Sequence, residues 1–292
     1  MRNMKHSDIL LFSAMAALVL AACGKLTGPG PAITIQAGIG TMTKVATTGD
    51  KVAFESGDKI SFFAWLGSAE AIPATRVVDG VVNTFDGTKW TPVSQMLWDD
   101  NSSKHYFLGI CPVRSVTNFT ADPYSLDPDK YADSDLLIAT NVAGLTSKDN
   151  PVKLGFEHAM ARLDVNLSFR NQWETAPTVT SVTATAKKTA TVDYLAKKMT
   201  ATGDAAAVAL KAKDNVAWSG LQVPQEGVRT LTITIDGTDF VFTHTADIPL
   251  VGGKYTTVNL TVGRDKIELA SDITIANWTA GSTLNGDALD EE

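Results

Sequence analysis

Cys23 is the residue whose type and position imply chemistry most directly. It follows Leu20, Ala21 and Ala22 at the end of an apolar run that opens near Ile9, with Arg2 and Lys5 ahead of it. A basic start, a short apolar run and small residues before a cut make a secretory signal peptide of residues 1–22. The Leu-Ala-Ala-Cys ending looks like a bacterial lipobox, in which the cysteine thiol is acylated and becomes the new N-terminus. An ordinary signal peptide with an incidental cysteine is the other reading. With Cys23 lipidated, Cys111 is left without a disulfide partner. Between Ile110 and Pro112 it reads as a small buried apolar residue rather than a nucleophile.

A second group with possible ligand chemistry is acidic. Asp122, Asp127, Asp129, Asp133 and Asp135 share one segment with Tyr124 and Tyr131. Closely spaced carboxylates such as Asp127, Asp129, Asp133 and Asp135 could hold Ca²⁺, a hard cation that prefers oxygen. The spacing lacks the central Gly and terminal Glu of an EF-hand, and a solvated acidic loop is the alternative. His105, His158 and His244 stand far apart with no second ligand at metal spacing, and each reads as a structural histidine. There is no G-x-S-x-G elbow, and Gly38-x-Gly40 lacks the rest of a phosphate loop. The residues therefore predict no enzyme and no cofactor. Trp90 and Trp98 lie near turns, where an exposed indole could stack a sugar; buried core tryptophans are the other reading.

The elements that must position these residues read as strands. The chain has 292 residues, 44% hydrophobic and 20% charged, enough to bury a sizeable core. A net charge of −7 argues against a nucleic-acid partner. Residues 58–65 (DKISFFAW) predict a strand. Residues 106–110 are apolar throughout and predict a strand buried on both faces. Leu163, Val165, Leu167 and Phe169 alternate with Asp164, Asn166 and Ser168, predicting one buried face. Asp79-Gly80 and Asp236-Gly237 read as hairpin turns, which need φ > 0. Residues 189–213 are rich in Ala and Lys, interrupted by Gly203-Asp204, and fit either a short helix or a pair of outer strands with a loop. Short strands between Gly, Asp and Pro turns indicate β-sandwiches. The best boundary lies near Lys153 to Ala161, about residue 155, where a segment led by Pro151 passes into the long alternation from Arg162. Residues 24–32 read as a tether.

Several segments, taken in order, resemble the fimbrillin (Mfa-like) family, the subunits of type V pili in Bacteroidia. After the lipobox come Thr43-Lys44-Val45 and Gly57-Asp58-Lys59-Ile60. Trp90 and Trp98 precede Tyr106-Phe107-Leu108-Gly109-Ile110-Cys111-Pro112. Ser134-Asp135-Leu136-Leu137 is similar to the family's SDLL element, and Phe156-Glu157-His158-Ala159-Met160-Ala161-Arg162-Leu163 to its F-x-H-x-x-A-x-L element. Residues 248–255 and Ile275-Ala276-Asn277-Trp278 complete the order.

The resemblance implies an all-β chain with two tandem transthyretin-like β-sandwich domains, 45–154 and 155–292, behind a lipidated tether and removable strand at 23–44. It implies no enzymatic activity. It also implies a structural or adhesive subunit of a surface fimbria, held at the outer membrane by the lipid on Cys23 and joined to other fimbrial subunits by strand exchange. A host protein or glycan would be its ligand. In such pilins a protease cuts after a basic residue and removes an N-terminal strand, here residues 32–39, and the next subunit's strand fills the groove. Relatives commonly carry Arg at the cut, whereas this chain has Lys44. A trypsin-like enzyme could cut there, or the subunit could stay uncut as an anchor or tip. A surface glycan-binding lipoprotein is the alternative reading of the whole chain.

Overall fold

The structure, a computed structural model, describes residues 30–40, 53–175 and 177–278. Cys23 and Lys44 lie outside the described residues. The chain is all-β, as the alternating and apolar runs predict. Among the described residues no helix is long and apolar enough to cross a membrane.

A seven-stranded sheet leads. Its strands are β1 (Ile35–Ile39), β2 (Lys59–Leu66), β3 (Val78–Phe85), β4 (Trp90–Pro92), β5 (His105–Cys111), β7 (Leu137–Leu145) and β8 (Val152–His158), in the order β1-β8-β7-β5-β2-β3-β4. Central strands β2 and β5 are apolar on both sides because both faces are covered. Phe62, Ala64, Phe107, Leu154 and Phe156 enter one core; Phe63, Trp65, Leu108, Ile110 and Ile138 enter another.

That second face is covered by a three-stranded sheet whose parts come from distant places. β6 (Asp122–Ser125) pairs with β11 (Thr189–Asp193), which pairs with β12 (Lys198–Thr202). Residues 189–213 are thus strands, continued by β13 (Ala206–Ala209) and β14 (Lys211–Ala212). A buried polar knot locks β11 and β12 in place. The Tyr194 hydroxyl donates to Asp122 Oδ2 at 2.8 Å, and Arg114 Nη2 donates to the same oxygen at 3.0 Å. Burial, with the Asp122 carboxylate beside it, pushes the Tyr194 phenol well above its ordinary pKa.

The remaining strands form two sheets. β13, β10 (Val179–Ala186), β16 (Thr230–Ile235) and β17 (Thr238–Thr243) make one; β14, β15 (Ala217–Gln222), β9 (Ala161–Phe169), β18 (Lys254–Val262) and β19 (Ile267–Leu269) make the other, with β20 (Thr274–Asn277) also on β18. The β9 alternation buries Leu163, Val165 and Leu167, while Phe169 is half-buried at the strand's end. β18 runs parallel to β9, from Tyr255 opposite Arg162 to Val262 opposite Phe169.

The stretch 153–161 that reads as a boundary runs from β8 through Ala159 and Met160 into β9. β11, from beyond it, pairs with β6, and one continuous apolar cluster joins the second face of the first sheet to the two later sheets. One expectation needs correction. The Asp79-Gly80 pair is not a hairpin turn but a bulge inside β3. Val78 lies opposite Ala64 and Val81 opposite Phe62, so Asp79 and Gly80 face Phe63 alone. Gly80 supplies the needed φ of +67°. Asp236-Gly237 does turn the chain between β16 and β17, at φ +48° and +80°.

Candidate functional site

The groove that holds β1 is built from the edge of the first sheet. β1 pairs parallel with β8, from Ile35 opposite Val152 to Ile39 opposite Phe156. The residues just before it are tied on the other side: Ile33 N–H donates to Met96 O at 2.9 Å, Gly30 N–H to Trp98 O at 2.9 Å, and Trp98 N–H to Pro31 O at 3.1 Å. Asn150, just ahead of β8, holds the same stretch from the other side, accepting from Thr34 N–H at 2.9 Å and donating to Ala32 O at 3.2 Å. The period-two pattern then does the rest. Ile33, Ile35 and Ile39 are buried, Ala37 is half-buried, and Thr34 and Gln36 face solvent. Beneath them lie Val152, Leu154, Phe156, Phe107 and Trp98, all fully buried. Segment 30–40 is therefore a lid over one core, held at an edge that needs a strand.

At the end of β1 a cavity of about 600 Å³ opens, lined by Ile39, Gly40, Phe156, His158, Gly253 and Trp278 among others. Three segments that the sequence shows as separate meet here. His158 Nδ1 lies 2.8 Å from Asp135 Oδ1, both side chains buried. The His158 ring stacks on Trp278 at 3.9 Å and 4°. The Arg162 guanidinium stands 5.6 Å from the Trp278 ring and 4.8 Å from the Tyr255 ring, and pairs with Asp164 at 2.7 Å. The Asp135 carboxylate fixes the His158 imidazole in its plane, and the indole of Trp278 packs on its face. The pair's evident work is to dock β20 beside the start of β9. The spacing of Asp135, His158 and Trp278 gave no hint that they meet, since the contacts span 23 residues in one case and more than a hundred in the other.

The other histidines are satisfied locally. His105 Nδ1 donates to Ser103 O at 2.9 Å while Nε2 accepts from Asp99 N–H at 3.1 Å; His244 Nδ1 meets Ala246 O at 2.9 Å. The acidic residues do not come together. Asp135 is buried against His158, Asp129 pairs with Lys211, and Asp127 caps the turn at Asp129 and Lys130. Among the described residues no three of His, Cys, Asp or Glu, Asp133 included, could share a metal ion. Trp90 and Trp98 are buried, so neither is the exposed sugar platform that their turn-side positions allowed. Cys111 is buried in the first core.

Comparison with known proteins returns one family. The model described as fimbrillin-like matches residues 43–278. No curated protein matches. Among solved structures, the chain is similar to a protein assigned to cell adhesion from Bacteroides uniformis, with 18% identity and a TM-score of 0.66, covering 85% of this chain and 98% of that one. A second such protein, from Bacteroides ovatus, gives 13% identity and a TM-score of 0.63 over 85% and 98%. A fimbrial protein from Bacteroides vulgatus gives 14% and 0.54 over 84% and 99%. At these identities the structures establish the shared fold. The family match spans most of the sequence, and the chain belongs to the fimbrillin-like family.

Proposed function

We propose that this protein is a structural or adhesive subunit of a cell-surface fimbria, exported as a lipoprotein through Cys23 and assembled by donor-strand exchange after cleavage at Lys44. Family membership supports a fimbrial subunit role. The observation that carries the finer reading is segment 30–40. It is a short edge element with a buried isoleucine row, it covers a fully apolar bed, and Lys44 follows it four residues after Gly40. A strand in that position can be replaced by another of the same pattern at no loss of main-chain hydrogen bonds. A donor would come from the C-terminal region of a neighbour, after Trp278 or from residues 267–275. The outer-membrane address follows from the lipid, and processing at Lys44 decides between an assembled subunit and an anchor or tip.

The experiment is mass spectrometry of the mature N-terminus on the cell surface. Val45 as first residue in assembled material supports processing and exchange. A lipidated Cys23 in all surface material would limit the protein to an uncut anchor or tip, and an unmodified start elsewhere would remove the reading.

A further inference from the structure

Five of the six tryptophans are buried: Trp65, Trp90, Trp98, Trp218 and Trp278. Trp173, in the loop after β9, is only half-buried. Its ring is fixed, with Nε1 donating to Val262 O at 3.2 Å and with Phe169 and Phe240 standing edge-on at 6.1 and 5.9 Å. The Arg264 guanidinium lies 4.9 Å over the indole. Gln172 Oε1 accepts from Arg264 N–H at 2.9 Å and so holds the two loops together. Beside them is an open cavity of about 330 Å³ lined by Trp173, Ile235, Asp236, Thr238, Phe240 and Arg264. The Asp236-Gly237 turn that presents the carboxylate is fixed by its left-handed backbone.

We propose that this cavity is a binding subsite for a pyranose sugar. A pyranose ring has an apolar C–H face and a rim of hydroxyls that both donate and accept. The part of the Trp173 indole that Arg264 does not cover, with Phe240 and Ile235, offers apolar surface to the first. A carboxylate, a hydroxyl and a guanidinium supply acceptor and donor to the second, with the charged groups giving the stronger bonds. The space suits about one ring, and Asp236, Thr238 and Arg264 stand in its wall beside Trp173, Ile235 and Phe240, so polar and apolar groups face the same small volume. The subsite lies where β9 and β18 end, whereas the β1 groove and the His158 cavity lie where those strands begin. Nine residues of strand separate them by roughly 30 Å. The subsite is therefore separate from the groove, and it does not rest on the fimbrial reading.

The test is saturation-transfer NMR on the soluble mature chain with methyl α-D-mannopyranoside, methyl β-D-galactopyranoside and N-acetylneuraminic acid, each near ~10 mM, a concentration suited to weak single-ring binding. Two variants accompany the parent. Trp173→Ala removes the platform. Asp236→Asn removes the charge but keeps a side chain that tolerates positive φ, so the turn survives. The expected result is transfer to the ring C–H protons of at least one probe, reduced by about fivefold or more in both variants. No transfer from any of the three overturns the proposal, as does transfer that persists in both variants or is lost in Trp173→Ala alone.

Discussion

Replacing Ile35 by Asp should detach the N-terminal strand while leaving the rest of the fold intact. Ile35 is 9% exposed and stands opposite Val152, which is fully buried. Losing its apolar burial costs about 1.5–3 kcal/mol. Leaving a carboxylate unpaired in an apolar bed adds about 3 kcal/mol more. The chain need not bear the sum of about 5 kcal/mol, because segment 30–40 touches the fold at an edge and can let go. The loss is therefore capped at the free energy of docking that segment. Amide exchange separates the two cases. Val152 N–H donates to Thr34 O at 2.8 Å and Gly40 N–H to Phe156 O at 2.8 Å, so both report docking. Val165 sits mid-strand in β9, between β15 and β18, and reports the fold. In Ile35→Asp the Val152 and Gly40 amides should exchange about 100-fold faster or more, which corresponds to about 3 kcal/mol. Val165 should be unchanged. Equal protection at Val152 in variant and parent would refute the lid. Parallel loss at Val165 would show that the strand is integral to the whole core and cannot be exchanged.

Other consequences follow from single residues. Gly80→Ala should cost about 1–3 kcal/mol in a urea melt, because the bulge demands φ +67° and the new Cβ would lie 3.3 Å from Phe63 Cε1; an unchanged midpoint would remove the bulge argument. Tyr194→Phe takes a donor from buried Asp122 and should cost about 1–2 kcal/mol near neutral pH. The Tyr194 pKa is raised in the fold, so above pH ~10 the unfolded chain loses a proton that the native chain keeps. Stability should then fall as pH rises through that region, and the variant should show a shallower fall; equal slopes would count against the buried phenol. Cys23→Ala should abolish membrane retention on fractionation, and a variant still in the outer-membrane fraction without a pilus to hold it would contradict lipidation.

What could be read along the chain was what depends on neighbours in sequence. The apolar run at 106–110, the alternation from Leu163 to Leu167, the isoleucines of 33, 35 and 39, and the Asp236-Gly237 turn all express local period and φ preference, and the fold uses them so. The Asp79-Gly80 pair had the same local signature, but pairing of β3 along β2 on both sides of it made it a bulge. Trp90 and Trp98 sit by turns in sequence and are covered in space by segments far away, Trp98 by Gly30 and Pro31. The parallel pairings of β1 with β8 and β9 with β18, and the reach of β11 to β6, join residues from tens to more than a hundred positions apart, where no local pattern operates. The same distance hid the meeting of Asp135, His158 and Trp278. Trp173 carried no pattern in the sequence; only the burial of the other five tryptophans singles it out.

The central claim is that residues 32–39 form an exchangeable strand released by a cut at Lys44. Limited trypsin digestion of the purified precursor under native conditions tests it most directly, read by N-terminal mass and by SDS gel without boiling. A new N-terminus at Val45, loss of the 32–39 peptide and a ladder of SDS-resistant oligomers are expected, because the bed of Val152, Leu154 and Phe156 must be covered by a neighbour's strand. A clean cut after Lys44 that leaves a stable monomer, or a chain that resists cutting there, would contradict it.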